Sequence, residues 1–573
     1  RRVLSNRYPF LVFLLYASGC SPRPAAEPAA SVLLITIDTL RADRLGAYGD
    51  SRARTPAIDR LAREGVVFEQ AYTPAPITLP AHASLMTGLL PPAHGVRGNG
   101  GFALGPSNKT LAEVFKASGR RTAAFIGGFP LVARFGLNRG FDVYDDTMSK
   151  APGVNYDFAE RRASDVVDSA RTWLAANPGP VFVWVHLFDP HAPYDPPGDF
   201  RTDDPYRDEI AAVDATTAHL LSAWDARPGP SVVALTSDHG EAFGEHGEWS
   251  HSLFIYDTTL RIPLIVRGSG FDPGKRSRVA VGLADIAATL IESADVIGAS
   301  LPGVSLTQAL GPGARDRVLY AETLAPRIDF GWSDLRSLRE AGFKWIRAPR
   351  PELYVLAEDE GEARNRADED GARARALDAA LSKLLATTGE TTARRSPDAE
   401  AEERLRSLGY VQGPGGRGSG ADPKDKVEVA RRIAEATGPF ADWPAAIASY
   451  RSLVALDPQN PLLNMRLADA LLRSGKPSDS LRFFASVVKS QPTTADPHVG
   501  YATALAQLGR LAEARRILEE AVVVDPRNGQ VRYNLGEIAR VEGRVSDARR
   551  EYEAALADPV TAARAQARLQ EIR

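Results

Sequence analysis

SVLLITID, residues 31–38, decides the fold. A nearly unbroken apolar run that ends on a carboxylate has no polar side to turn toward water. It reads as a strand buried on both faces, the pattern of a parallel sheet covered by helices. RRTAAFIGG (120–128), PVFVWVHLFD (180–189), SVVALTSDHG (231–240) and IPLIVRG (262–268) repeat that pattern. Helical patterns lie between them, such as TPAIDRLAREG (55–65), with Thr55 as expected N-cap and Pro56 as the first helical residue. Strands alternating with helices specify an α/β domain with a mainly parallel sheet flanked by helices. Ligands of such sheets gather beyond the strand C-termini. Asp38, Asp189 and the Asp238–His239 pair stand at such ends and are expected to converge.

Toward the amino terminus, RRVLSNRYPFLVFLLYASGC (1–20) opens basic, runs apolar from Tyr8 to Ala17, and closes on small residues before Cys20. The run is short for a bilayer span, which takes about 20 residues, and suits a signal-peptide core. It resembles a bacterial lipoprotein signal. That resemblance implies lipidation at Cys20, export, and attachment to a membrane in the periplasm or cell envelope through the lipid anchor only. Cys20 is the single cysteine, so a disulfide within the chain is excluded. Pro22, Pro24 and Pro28 mark residues 21–30 as a tether.

Residues 31–314 form the α/β domain. Shorter β-like pieces follow, including FKWIRA and PELYVL, and predict a small antiparallel subdomain over 315–395. Residues 396–427, with GPGGRGSGADPKDK at 413–426, read as a flexible linker. Lys+Arg 69 against Asp+Glu 72 leaves no basic excess, so nucleic acid is not an expected partner.

Residues 428–573 repeat. Pro458, Pro492 and Pro526 keep an interval that Gly475, Gly509 and Gly543 share. A period of about 34 residues, with helix, turn, helix, Gly at the turn and Pro at the end, resembles tetratricopeptide repeats. An all-α solenoid of this kind presents a concave surface, which implies a protein or peptide partner.

Four stretches resemble, in order, the blocks of the sulfatase family within the alkaline phosphatase superfamily: ITIDTLRADRLGAYG, TPAIDRLAREGVVFEQAYT, TLPAHASLMTGLLPPAHGVRGN and SDHGEAFGEHGEWSH. The resemblance runs from about Ser31 to Ala380. Sulfatases carry Cys or Ser at the head of C/S-x-P-x-R and oxidise it to formylglycine. Here the segment is Thr78-Leu79-Pro80-Ala81-His82. Threonine's β-methyl group forbids the aldehyde, so Thr78 is expected to act as an unmodified alcohol. Such a nucleophile needs a base or a metal to activate it. Pro80 suits a first helical turn, which puts Thr78 near a helix N-terminus that favours anions. The alternative is that Thr78 only caps that helix.

The resemblance implies a divalent-metal set of Asp38, Thr78, Asp238 and His239. Its imidazole favours zinc or manganese, with calcium or magnesium also open. It further implies that His191 in FDPHAPY and His251 bind the ester anion or serve the leaving group. His186 and His246 stay open, a second metal involving Asp189 is conceivable, and His82 and His94 read as structural or outer residues. A phosphorylated threonine is released by in-line attack of water, whereas a sulfated one has no aldehyde route of release. The expectation is therefore a metal-dependent hydrolase of an anionic ester, with phosphate or phosphonate ahead of sulfate. A phosphoryl transferase of the phosphoethanolamine-transferase type and an inactive repeat scaffold are the rivals.

Overall fold

A computed structural model describes residues 29–99, 101–148, 160–391, 419–435, 442–492 and 495–572. Cys20, the expected signal and most of the expected linker lie outside the described residues.

Fifteen strands form among the described residues. They are β1 (Ser31–Ile37), β2 (Val66–Phe68), β3 (Ala71–Tyr72), β4 (Arg121–Ile126) and β5 (Val143–Asp145). Next come β6 (Val181–Leu187), β7 (Ser231–Ser237), β8 (Arg261–Ile262), β9 (Leu264–Arg267) and β10 (Arg276–Ser277). The last are β11 (Val281–Gly282), β12 (Leu319–Thr323), β13 (Leu335–Glu340), β14 (Phe343–Arg347) and β15 (Glu352–Val355). Eight of them build the main sheet in the order β10-β2-β9-β7-β1-β6-β4-β5. From β7 across to β5 all neighbours run parallel.

Strand β9 departs from the expectation set by IPLIVRG. It runs antiparallel to both β7 and β2. A parallel return would need a crossover of a dozen or more residues, usually a helix, back to the starting edge. The 238–263 connection carries no long helix, only the short helical turns Glu245–Gly247 and Asp257–Leu260 and strand β8, and β9 pairs directly beside β7. That stretch brings Asp238, His239 and His251 past the end of β7.

Both faces of the sheet are covered, as the apolar runs demand. Val32 and Leu34 enter one core with helices Thr78–Thr87, Leu111–Ala117 and Asp285–Ser293. Leu33, Ile35 and Ile37 enter the other with helices Pro56–Glu64, Ala163–Ala176 and Pro205–Asp225. Helix Pro56–Glu64 starts where expected, but Thr55 makes no side-chain cap bond to it. Its hydroxyl instead accepts the Gly46 amide at 3.1 Å.

The small subdomain is the antiparallel meander β12-β13-β14-β15, with helix Gly371–Thr388 packed through Leu377 and Leu381 on Leu338, Trp345 and Leu353. The described end of the expected linker is docked. Ser333 N donates to Ala421 O at 2.9 Å, and the Asp422 carboxylate accepts Arg350 N and Lys424 N, each at 2.9 Å. Satisfied backbone bonds and the buried Asp422 fix a stretch whose composition alone reads as flexible.

Eight helices follow, in antiparallel pairs: Trp443–Leu456, Pro461–Arg473, Pro477–Ser490, Ala495–Gln507, Leu511–Val524, Gly529–Val541, Val545–Ala555 and Pro559–Glu571. Gly475, Gly509 and Gly543 sit at equivalent turns with φ of 77°, 75° and 75°. That left-handed conformation suits glycine, which lacks the Cβ that penalises other residues there.

Candidate active site

The site is built where β1, β6 and β7 end side by side. Ile37 pairs with Leu187 on one flank and Ser237 on the other. The next residues, Asp38 and Asp238, therefore leave the sheet level with each other. Thr39 then turns into the left-handed region, φ 51°, an unusual conformation for a β-branched residue. The turn aims its amide at Asp238 Oδ1, 3.3 Å away, and its hydroxyl at Pro190 O, 2.9 Å.

Asp38, Asp238 and His239 each offer a ligand atom within 4.8 Å of the others, and all three are buried. Asp38 Oδ1 and Oδ2, Asp238 Oδ2 and His239 Nε2 have no hydrogen-bond partner. Buried polar groups in native proteins are almost always partnered, because leaving them bare costs roughly 1–3 kcal/mol each. His239 Nδ1 lies 3.0 Å from Gly240 O, so the hydrogen-bond network puts its proton there and the lone pair on Nε2. Two carboxylates and an imidazole lone pair, all orphaned and convergent, fit a divalent cation. Burial pushes the Asp38 carboxyl up to about 7, against the pull of His239. Burial also disfavours charge on His239, but Asp238 and Asp38 outweigh it and raise that group.

Thr78 is the first residue of helix Thr78–Thr87, and Ile77 holds the cap position without a side-chain bond. The capping role is thereby set aside. The hydroxyl instead neighbours Asp38, where it favours the ionised carboxylate. The Leu79 amide in the same turn donates to Asn99 Oδ1 at 2.9 Å.

His191 stacks on Phe188 at 4.4 Å, and His251 lies 5.3 Å from His191 and 4.5 Å from His239, ring centre to ring centre. His191 Nδ1 is 2.6 Å from Ala192 O and His251 Nδ1 is 3.1 Å from Glu241 Oε1, which places both lone pairs on Nε2. Burial pushes His191 down to about 3 and His251 well below its ordinary value, so both rings are neutral.

The remaining candidates separate. His186 reaches the cluster, with Nε2 3.3 Å from Asp38 Oδ2. His82 stands behind it: its Nδ1 meets Thr78 O at 2.8 Å and its Nε2 meets Thr36 Oγ1 at 3.1 Å. His94 bonds Ser84 and Val96, away from the carboxylates. His246 stacks on Tyr256. Asp189 does not join: its Oδ2 accepts the Ala163 amide at 2.6 Å, at the start of helix Ala163–Ala176.

Glu241 was missed in the sequence. It is fully buried, accepts from His251 and from Tyr194 OH at 3.3 Å, and burial pushes it up to about 7. It shares SDHGEAFGEHGEWSH with Glu245 and Glu248, and no spacing rule distinguishes the three. Asn99 was missed for the same reason, as an ordinary polar residue at a block's end.

Glu248 gives the loop a pH signature. It is buried, its Oε1 accepts the Leu253 and Phe254 amides at 2.8 and 3.3 Å, and burial pushes its carboxyl up to about 8. The folded state thus binds this proton more tightly than the unfolded chain does. The group costs nothing extra below about 4.5 and becomes progressively destabilising as pH rises toward 8. Glu248→Gln should flatten that slope, gaining on the order of 1–2 kcal/mol over wild type at pH 8 and about none at pH 4. Denaturant melts at the two values measure it, and equal slopes for both proteins would refute it.

Comparison with known proteins matches residues 30–296 to the sulfatase family, and residues 441–508 and 501–567 to tetratricopeptide repeats. Mouse steryl-sulfatase is 36% identical over 20% of this chain and 20% of its own length. The ulvan-active sulfatase of Formosa agariphila is 26% identical over 43% of this chain and 57% of its own. These two matches thus span well under two thirds of either relative. The Δ4,5-hexuronate-2-O-sulfatase of Bacteroides thetaiotaomicron is 24% identical over 70% of this chain and 98% of its own. Among solved structures, the phosphonate monoester hydrolase of Agrobacterium radiobacter superposes with TM-score 0.51 and 21% identity, over 64% of this chain and 100% of that one. A 2-O GAG sulfatase gives the same score and identity over 63% and 92%. Those structural likenesses speak for the fold.

Proposed function

From a chain that carries a sulfatase domain at residues 30–296 and tetratricopeptide repeats within 441–567, we propose a metal-dependent hydrolase of an anionic ester that uses Thr78 as nucleophile. The observation that carries it is the set of buried, partnerless ligand atoms on Asp38, Asp238 and His239 beside the Thr78 hydroxyl. Asp38, Asp238, His239 and Thr78 would hold the ion, and this oxygen-and-imidazole set favours zinc or manganese. When bound, such an ion supplies Lewis acidity that eases deprotonation of a hydroxyl and neutralises ester charge.

Thr78 Oγ1 attacks phosphorus or sulfur and the bond to the leaving oxygen breaks. Water then attacks the same atom and frees Thr78. Each half-step moves one proton, from Thr78 to the leaving oxygen and then from water back to Thr78. His191 and His251 are suited to carry it at Nε2, being neutral and locked by their Nδ1 bonds. Glu241 lies against His251 Nδ1 and steadies the imidazolium formed in transit. The N-terminus of helix Thr78–Thr87 adds partial positive charge toward the anion.

The phosphoryl or phosphonyl ester is the preferred substrate class, because an unmodified threonine has no aldehyde route for shedding sulfate. An assay of aryl sulfate, phosphate monoester, phosphodiester and phosphonate ester, with metal content measured, tests this. Turnover of the phosphorus esters should exceed that of the sulfate by about tenfold or more. A reversed order would overturn the phosphoryl preference, and failure on all four would overturn the hydrolase reading. Recruitment of a protein or peptide by the repeats, and export with lipid attachment at Cys20, belong to the same proposal. No helix among the described residues is long and apolar enough to cross a membrane.

A further inference from the structure

The repeat unit closest to the sulfatase domain makes an attachment that its sister repeat does not. Asp457 and Asp525 occupy the same place in their repeats, each before a proline and three residues ahead of an asparagine. Asp525 bonds within its own turn, to Arg527 N at 3.2 Å and Asn528 Nδ2 at 3.4 Å. Asp457 keeps the asparagine bond, from Asn460 Nδ2 at 3.0 Å, and adds two others. Trp332 Nε1 donates to it at 2.8 Å from the antiparallel subdomain, and Lys426 Nζ at 2.9 Å from the docked segment. Asp457 and Trp332 are each 2% exposed. A buried carboxylate with three donors from three parts of the chain is a keystone, since removing it strands all three at once.

The apolar cluster around Trp332 leads back to the catalytic loop. It joins Leu453, Leu462 and Leu463 of the repeats with Leu253, Phe254, Ile255 and Tyr256, which begin two residues after His251. Those residues are tied to the loop by the Glu248 carboxylate, which takes the Leu253 and Phe254 amides. The loop is closed further by Ala242 N to Ser250 O at 2.8 Å and Gly244 N to Glu248 O at 2.7 Å. Its outer turn rests on a further helix, Val427–Glu435, which precedes the repeat helices. A Cβ placed on Gly247 would fall 2.8 Å from Val427 Cγ1, so backbone and helix are in direct contact. Glu241 and His251 stand at the two ends of this loop, joined by their hydrogen bond.

We propose that the leading helices of the repeat array are a positioning element of the active site, holding His251 and Glu241 in place through Asp457, Trp332 and the Leu253–Tyr256 segment. This rests on the hydrolase reading above for its kinetic consequence, and on the contacts alone for its structural one. Asp38, Asp238 and His239 lie outside the loop, so loosening it leaves ion binding intact. A displacement of the order of 1 Å in a proton-carrying group is enough to cost about tenfold or more in rate.

The test compares full-length wild type with Asp457→Ala, and with Asp457→Asn and Trp332→Phe as gentler variants should the alanine protein fold poorly. Asp525→Ala is the control at the equivalent position. Hydrogen exchange at the amides of residues 248–256 should rise about tenfold in the Asp457 and Trp332 variants, with β1, β6 and β7 unchanged and metal content at wild-type level. On the best ester, kcat should fall about tenfold while KM changes little, and Asp525→Ala should match wild type in both measurements. If the variants melt lower but exchange at 248–256 and kcat stay at wild-type values, the contact is only adhesive and the proposal falls. If wild type turns over no ester, the hydrolase reading fails and the exchange measurement alone decides this one.

Discussion

Thr78→Ala removes turnover, by about 10³-fold or more, and leaves a folded protein that still takes up its ion. The size follows from the role: without the hydroxyl no atom at that position forms a bond to the ester. The side chain is small and begins a helix whose cap position belongs to Ile77, so its loss forfeits no capping energy. Asp38, Asp238 and His239 remain to hold the ion. Thr78→Ser should keep activity within about tenfold of wild type, since it keeps the alcohol and loses only a methyl group. Rapid quench of the wild type with a phosphonate or phosphate ester, followed by mass analysis, should find the group on Thr78. An alanine protein with undiminished rate would show that water attacks directly, and the threonine would be left with a structural task only.

Removal of the divalent ion, or of Asp238, should have a comparable effect on rate and a larger one on stability. Asp238 serves two sides at once. Its Oδ2 faces the ion-binding cluster, while its Oδ1 accepts the His239 amide at 2.9 Å and the Thr39 amide at 3.3 Å. Asp238→Ala therefore empties the ion site and also releases the left-handed turn at Thr39. Chelation of the wild type does only the first. An ion present at about a thousand times its Kd stabilises the protein by roughly 4 kcal/mol, and a chelator should remove that amount. Because uptake requires deprotonated ligands, ion affinity should be weaker at pH 5 than at pH 8. Calorimetry with and without chelator, beside metal analysis of Asp238→Ala, checks all three statements. A chelated protein with unchanged melting and unchanged turnover would remove the ion from the proposal.

The parts legible in the sequence were those written in local patterns. Apolar runs ending in carboxylates marked β1, β6 and β7, because a strand buried on both faces has no other composition open to it. The repeat period showed itself through glycines that the three equivalent turns require. What stayed hidden depends on contacts between distant segments. The direction of β9 is set by where the 238–263 connection finishes, which periodicity does not record. Asp189 looked like a ligand by position but is engaged by the Ala163 amide from another helix. His186, left open by the sequence, was placed when the sheet brought Asp38 beside it, and Glu241 became a candidate only through its contact with His251. The docked end of the linker reads as flexible until Ser333 and Arg350 are placed against it.

The equal pairing of Ile37 with Ser237 has a consequence for how such a domain can change over time. Adjacent strands lie about 4.8 Å apart whatever their side chains, so the spacing of the two carboxylates is dictated by the backbone ladder. Adding or deleting one residue within either strand would turn Asp38 or Asp238 toward the opposite side and end the chemistry at once. Loops that carry none of His191, Glu241 and His251 are free of that restriction. Mutation can therefore rewrite which molecule is admitted while the reacting centre is handed down intact, and a new specificity in this scaffold should be sought in loop exchange.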